Sequence, residues 1–141
     1  MTRTTATGYS GTPLARKLGI KEASVVCVLG APMRYPDLLD QVPRDVRFAR
    51  TATARVDLVH VFVRKASLLE KELVRLRKAL RPDACIWVSW PKKASGVPTD
   101  ITEDTIRSLA LPMGFVDVKV CAVTEVWSGL KLMIRKSLRP A

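Results

Sequence analysis

Basic side chains follow each of the three most apolar strand-like runs of this sequence, where an α/β protein carries its ligand-binding loops. Ser95 and Gly96 come after the last of these and add a hydroxyl and backbone N–H groups. Cations beside such donors suit a phosphate, a nucleotide or an acidic partner. The alternative is that they are solvated loop charges on a basic protein. The basic residues concerned are Arg34, Arg64, Lys65, Lys92 and Lys93.

Several other residues could do chemistry, but a structural role explains them well. Two tryptophans, Trp90 and Trp127, could each stack on a ligand ring, and we include Trp90 among the candidate ligand-binding residues. A tryptophan that closes a strand is more often part of the core, however. His60 stands among valines and is expected to be a buried, hydrogen-bonded imidazole rather than a catalytic base. Asp100 with Glu103 three residues later predicts the N-terminal box of a helix.

Catalytic and metal-binding patterns do not stand out in the sequence. There is no serine–histidine–aspartate, cysteine–histidine or paired-carboxylate arrangement, and one histidine excludes most zinc sites. Asp57 lies at the start of its strand, away from the edge where ligands bind. We therefore predict no metal site and no cofactor, lean against an enzyme, and assign no catalytic residue.

The net charge of +11 arises from 24 Lys and Arg against 13 Asp and Glu. Such a charge attracts nucleic acid, nucleotides and anionic surfaces. The basic residues are spread along the chain, however, and only 6% of the residues are aromatic. Neither a base-stacking platform nor a recognition helix is visible. Charge alone therefore predicts at most a nonspecific nucleic-acid binder.

The length of 141 residues predicts a single domain. We expect a flexible basic tail over residues 1–8 and one α/β domain over residues 9–138. No apolar run approaches the roughly 20 residues of a membrane span, and the N-terminus lacks a signal-peptide core. These features predict a cytoplasmic protein, and three cysteines in apolar runs are then expected to be reduced and buried. They are Cys27, Cys85 and Cys121.

Four segments have helical features. The first is predicted to start at an N-cap Thr12 with Pro13 in its first turn, and to end at Gly19. The third has leucines on one face, as an amphipathic helix requires. The segments are 13–18, one or two turns within 36–41, 66–80, and a helix from about residue 100 to residue 111.

Six segments have strand features, and the run 24–29 is continuously apolar, as in a parallel strand buried on both faces. The last two strands are joined by 125–129, a connection too short for a parallel crossover, so they are predicted to form a hairpin. Its buried face is predicted to carry Val118, Val120, Leu130, Leu132 and Ile134. The strands are 24–29, 46–49, 56–63, 84–90, 115–123 and 130–134.

Two parts of the sequence resemble class I S-adenosylmethionine-dependent methyltransferases. Leu80–Val88 resembles the passage into their fifth strand and Val56–Val59 resembles their fourth strand, while the closing hairpin matches their reversed last strand. Three further blocks, Gly8–Leu14, Trp90–Asp100 and Trp127–Lys131, resemble a small bacterial family of unknown function whose members look like cut-down methyltransferase folds. The resemblance implies an open, mostly parallel Rossmann-like α/β sheet with helices on both faces and a C-terminal antiparallel hairpin.

The strand order of methyltransferases makes the strands 24–29, 56–63 and 84–90 neighbours. The resemblance therefore implies that the candidate cations, together with Tyr35 beside Arg34, share one edge of the sheet.

The sequence also departs from the methyltransferase pattern. After the first strand, Gly30–Met33 replaces the glycine loop, and proline cannot supply its N–H groups. Arg50 stands where an acidic residue would hold the ribose hydroxyls. Between Arg50 and Val56 there is no room for the usual helix and third strand, so a partner, another copy included, is expected to cover this thin flank.

These features predict a non-catalytic methyltransferase-like domain that binds an anionic small molecule or an acidic protein partner. One alternative is an active transferase that holds S-adenosylmethionine or another nucleotide in a non-standard way, using the 90–95 loop. A second alternative is the nonspecific nucleic-acid binder.

Overall fold

The computed structural model describes residues 12–140, and their strands form one sheet in the order β2–β1–β3–β4–β6–β5. Strands β1 to β4 are parallel, and β6 is antiparallel to both β4 and β5. The predicted mostly parallel sheet with a closing hairpin is confirmed, while the predicted tail at 1–8 lies outside the described residues. The strands are β1 (Val25–Leu29), β2 (Arg47–Ala49), β3 (Leu58–Phe62), β4 (Cys85–Pro91), β5 (Phe115–Ala122) and β6 (Trp127–Ile134).

Helices cover both faces of this sheet unequally. The first face is covered by the two longer helices, whose buried residues include Leu73 and Ile106. The second face is covered by two helices of only five residues each, whose buried residues include Leu18 and Leu39. The second face is therefore the more open one. In chain order the helices are α1 (Leu14–Leu18), α2 (Tyr35–Leu39), α3 (Ala66–Ala79) and α4 (Glu103–Ala110).

Long apolar elements hold the first face together. Leu69, Leu73 and Leu76 of α3 recur at helical spacing and are fully buried. They join a core cluster with Val59, Ile86 and other residues of the central strands. Burial of each such side chain stabilises the fold by about 1.5–3 kcal/mol, so this helix is the main support of the sheet.

The closing hairpin differs from its prediction in one respect. Leu130, Leu132 and Ile134 are buried as predicted, but Val118 and Val120 are 48% and 43% exposed. Strand β5 is an edge strand, and its register shifts between Asp117 and Lys119. Val118 is the extra residue at this shift and breaks the alternation of faces, whereas Val120 is opposite Leu130 but stays exposed on the edge strand. The prediction that Val118 and Val120 are buried was therefore wrong.

Two helix starts also differ from prediction. In α1 the N-cap residue is Pro13 instead of Thr12, because the Pro13 carbonyl accepts hydrogen bonds from the N–H groups of Arg16 and Lys17, both at 3.1 Å. In α4 the N-cap is Thr102, whose hydroxyl accepts from the Thr105 N–H in a capping box.

The predicted box of Asp100 with Glu103 was therefore wrong. Asp100 instead accepts a hydrogen bond from the Ala66 N–H at 2.7 Å, at the start of α3. The chain folds back between these two positions, so this cap is a tertiary contact that local spacing cannot reveal.

The flank beside β1 is as thin as predicted. No helix or strand lies between Ala49 and Leu58, so β2 forms the edge of the sheet. Among the described residues, no helix is long and apolar enough to span a membrane.

Candidate functional site

The carboxyl ends of β1, β3 and β4 lie side by side, because these neighbouring strands are parallel. The residues that follow them therefore share one edge of the sheet, where open α/β folds bind ligands. All but Lys92, which is half-buried, are exposed to solvent. We call this set the basic rim: Arg34 after β1, Arg64 and Lys65 after β3, and Lys92 and Lys93 after β4.

The loop after β4 is tied to its neighbours on two sides. On one side the Lys92 N–H donates to the Val126 carbonyl at 2.7 Å, which joins the loop to the hairpin turn. On the other side the Thr99 hydroxyl donates to the Arg64 carbonyl at 2.8 Å, and the Asp100 N–H donates to the same carbonyl at 3.2 Å. These bonds hold the Lys92–Asp100 loop against the segment that carries Arg64 and Lys65.

Ser95 and Gly96 shape this loop from within. The Ser95 hydroxyl donates to the Lys92 carbonyl at 2.6 Å and accepts from the Val97 N–H at 3.2 Å. The Ser95 and Gly96 N–H groups donate to the carbonyls of Lys92 and Lys93. Gly96 has φ +77°, a left-handed conformation that favours glycine. These polar groups hold the loop in shape, and the exposed Lys93 side chain is a charged donor that the loop presents to an anion.

Most of the basic rim forms no ion pair, although the Asp100 carboxylate lies beside it and accepts from the Ala66 N–H. Arg34 lies 3.5 Å from Asp37 in an exposed ion pair. Within the described part of the chain, Arg64, Lys65 and Lys93 form no ion pair. Exposed pairs contribute little to stability, so the positive charge at this edge is available to a ligand.

The two tryptophans near the rim belong to the core. Trp90 is 6% exposed and packs in the cluster on the first face. Trp127 packs edge-on against Phe62, with ring centroids 5.3 Å apart on the second face. The burial of Trp90 makes it a support for the loop that follows it, rather than a surface on which a ligand can stack.

The region where a methyltransferase cofactor would lie offers few donors. Gly30 has φ +73°, and a Cβ atom there would lie 2.6 Å from the Phe62 carbonyl oxygen, so only glycine allows the ends of β1 and β3 to approach this closely. Helix α2 begins at Tyr35, five residues after Gly30, spans five residues and carries Pro36 in its first turn. Proline has no N–H to donate. Arg50, after β2, is exposed where a ribose-binding carboxylate would stand.

His60 is the centre of a buried polar chain on the second face. The Tyr35 hydroxyl lies 2.6 Å from His60 Nδ1, and the Ser89 hydroxyl lies 2.7 Å from His60 Nε2. Burial lowers the pKa of His60 to about 3 and raises the pKa of Tyr35. The imidazole is therefore neutral and closed to solvent, which confirms the predicted buried, hydrogen-bonded histidine.

Sequence reasoning expected Tyr35 at the rim and did not find Ser89, because only the packing of α2 on the sheet brings these partners to His60. Tyr35 is in fact 4% exposed.

Asp57 lies at the opposite edge of the sheet, as predicted. Its carboxylate accepts from the Val25 N–H at 2.7 Å and pairs with the Arg81 guanidinium. Both contacts favour the charged form, and the pKa of Asp57 is lowered even though burial opposes this. Asp57 therefore fastens the starts of β1 and β3 together. In residues 12–140 no group of three or more His, Cys, Asp or Glu side chains is arranged to hold a metal ion.

Solved structures with a similar fold include methyltransferases. A SAM-dependent methyltransferase from Aquifex aeolicus matches with a TM-score of 0.67 at 16% identity, over 86% of this chain and 88% of that chain. A putative type 11 methyltransferase from Sulfolobus solfataricus matches with a TM-score of 0.64 at 12% identity, over 91% and 93% of the two chains. The chain has a methyltransferase-like Rossmann fold.

Identities this low show the fold alone. No protein-family model matches this chain, and no curated protein matches it. The resemblance to a small bacterial family therefore stays a prediction.

Proposed function

We propose that this protein is a non-catalytic methyltransferase-like domain that binds an anionic ligand through the basic rim. The observation that carries this proposal is the set of unpaired cations Arg64, Lys65 and Lys93 at the edge where the fold presents its ligands. Phosphate, a nucleotide or an acidic protein segment would each supply the complementary charge.

The loop after β4 supports this proposal through its rigidity. Hydrogen bonds to Val126 and Arg64 fix its two flanks, and Ser95 fixes its interior. A loop that is already ordered loses little conformational entropy when a ligand binds. The loop thereby holds Lys93 near the segment of Arg64 and Lys65 before any ligand arrives.

The same geometry argues against catalysis. The glycine loop and the ribose carboxylate are both missing, and the single histidine is buried. The first alternative, an active transferase, draws on the likeness to methyltransferases and would need S-adenosylmethionine or another nucleotide to bind without these anchors. The second alternative, nonspecific nucleic-acid binding, draws on the net charge of +11 alone.

The test replaces Lys92 and Lys93 by alanine and measures binding of ATP and of a polyglutamate peptide by calorimetry. Loss of charge-assisted bonds at the rim should weaken whichever probe binds by about tenfold or more. The melting temperature should change little, because surface charges seldom contribute more than about 1 kcal/mol to folding.

The matched control replaces Lys71 and Lys78, two exposed lysines of α3, by alanine. If the rim is the binding site, Lys92→Ala with Lys93→Ala should lose much of the affinity for the probe, and this control should lose little of it. Equal losses, with equal reductions in the salt dependence of binding, would mean that each lysine only replaces counterions. That result would contradict the rim as a site and favour nonspecific attraction.

A further inference from the structure

A pair of lysines lies face to face on the second sheet face, away from the rim. Lys119 of β5 is directly opposite Lys131 of β6, and Lys131 is in turn opposite Trp87 of β4. Directly opposite residues point to the same face, and Trp87 belongs to the second-face core. Like charges in this position have Cβ atoms about 5 Å apart and destabilise a sheet.

A third lysine reaches the same region from α1. Leu14 and Leu18 bury this helix on the second face, together with Trp87. Lys17 and Lys119 both act electrostatically on the Cys121 thiol and oppose the rise in its pKa that burial causes. The Trp87 indole N–H donates to the Leu18 carbonyl at 2.8 Å, so α1 packs on the face of β4 to which Lys131 and Lys119 point, and the three lysines come from α1, β5 and β6.

These lysines have no counterion in the described structure. None of Lys17, Lys119 and Lys131 forms an ion pair with a residue in the 12–140 range, and Lys17 and Lys131 are half-buried. Partial burial removes water from a charged side chain, and a like charge nearby repels it, so both effects make the charged form less favourable. Protection of an exposed sheet edge explains a lysine on β5. It does not explain Lys131, which lies on an interior strand.

We propose that Lys17, Lys119 and Lys131 form a phosphate-binding site on the second face of the sheet. A phosphate carries up to two negative charges and three acceptor oxygens, whereas a carboxylate carries one charge and offsets less of the local +3. The site is distinct from the basic rim, because Trp87 lies four residues, or about 13 Å, before the end of β4. The phosphate could belong to a small molecule or to a nucleic-acid backbone.

The test replaces Lys131 by methionine, which is unbranched and one heavy atom shorter, and removes the charge. The titrations use inorganic pyrophosphate and a 12-nucleotide single strand, in the Lys92→Ala, Lys93→Ala background so that the rim does not contribute. Affinity for the phosphate probe should fall about tenfold or more. The melting temperature without ligand should rise at low salt, because the repulsion from Lys119 is gone, and this gain should disappear at high salt.

Lys71→Met on α3 is the control and should show neither change. A loss seen with pyrophosphate identifies a small phosphate compound, and a loss seen only with the oligonucleotide identifies the nucleic-acid backbone. If Lys131→Met does not fold, Lys119→Met should show the same two changes. Unaltered affinity for both probes, or an equal loss in the Lys71 control, would overturn the proposal.

Discussion

His60 is fully buried, and both of its ring nitrogens have a partner, Tyr35 at Nδ1 and Ser89 at Nε2. A neutral imidazole forms both of these hydrogen bonds, because one ring nitrogen donates and the other accepts. Protonation would turn both nitrogens into donors and place a charge in the core. The two hydroxyls therefore fix the ring and tie α2, β3 and β4 together.

This burial predicts a pH-dependent stability. The pKa of His60 is about 3 in the folded protein, below the ordinary value of about 6.5. The unfolded chain thus binds a proton that the folded chain does not, and stability should be complete above pH 6.5. It should fall by up to about 1.4 kcal/mol per pH unit as the pH drops from 6.5 towards 5.

Urea denaturation at several pH values measures this slope. His60 is the only histidine in the chain, so His60→Gln should lose the slope in this range whatever its overall stability. A wild-type stability that is flat between pH 6.5 and 5 would contradict the buried neutral imidazole.

The cysteines offer a second prediction at the scale of single residues. Burial raises the pKa of all three thiols, and Cys27 is completely buried whereas Cys85 and Cys121 are half-buried. The thiolate is the reactive form, so labelling of the folded protein by a thiol reagent should be slow throughout and slowest at Cys27. Mass spectrometry of a time course gives the order, and rapid labelling of Cys27 would show that its strand opens readily.

Among the secondary-structure elements, α3 depends on a residue far away in sequence. Asp100 accepts from the Ala66 N–H at its first turn and also places a negative charge near the positive end of the helix. Asp100→Ala should therefore lower the free energy of unfolding by about 1 kcal/mol. Asp100→Asn keeps an acceptor and should lose less. Chemical denaturation compares them, and an unchanged Asp100→Ala stability would exclude the capping role.

The closing hairpin yields a prediction that contrasts its two strands. Leu130 and Leu132 of β6 are fully buried, whereas Val118 and Val120 of β5 are more than two-fifths exposed. Leu132→Ala should cost about 2–5 kcal/mol, and Val120→Ala should cost well under about 1 kcal/mol because little apolar surface is lost. Equal costs in denaturation experiments would indicate that the exposed face of β5 is covered in solution.

Deletion of everything after Trp127 removes most of β6, which lies between β4 and β5. The truncated chain should be unfolded or aggregated, because the buried side chains of the hairpin are lost together with a central strand. A soluble truncation that melts cooperatively would contradict this assignment.

For the molecule as a whole, the fold is methyltransferase-like, but the chain departs from the methyltransferase pattern at the positions expected to hold the cofactor. Helix α2 has five residues and a proline in its first turn, Gly30 is needed for close packing on Phe62, and Arg50 replaces an acidic residue. S-adenosylmethionine should therefore not bind with micromolar affinity in calorimetry. Such binding would contradict the proposed non-catalytic role and favour the transferase alternative.

Local signals in the sequence were sufficient to predict several of the helices and strands. The leucine spacing of α3, the apolar runs of β1, β3 and β4, and the short connection before β6 each depend on neighbouring residues. The resemblance to methyltransferases added the strand order, and with it the common edge of Arg64 and Lys93. These patterns sufficed because periodic burial and chain connectivity constrain an element before any long-range contact forms.

Contacts between residues far apart in the chain could not be predicted from these local signals. Asp100 caps a helix that begins 34 positions earlier, His60 finds its partners on α2 and β4, and the edge position of β5 leaves Val120 exposed. The opposition of Lys119 and Lys131 depends on the register of β5 and β6. Such pairings follow from how strands align and how helices pack, and a change of one residue in register would send each side chain to the other face.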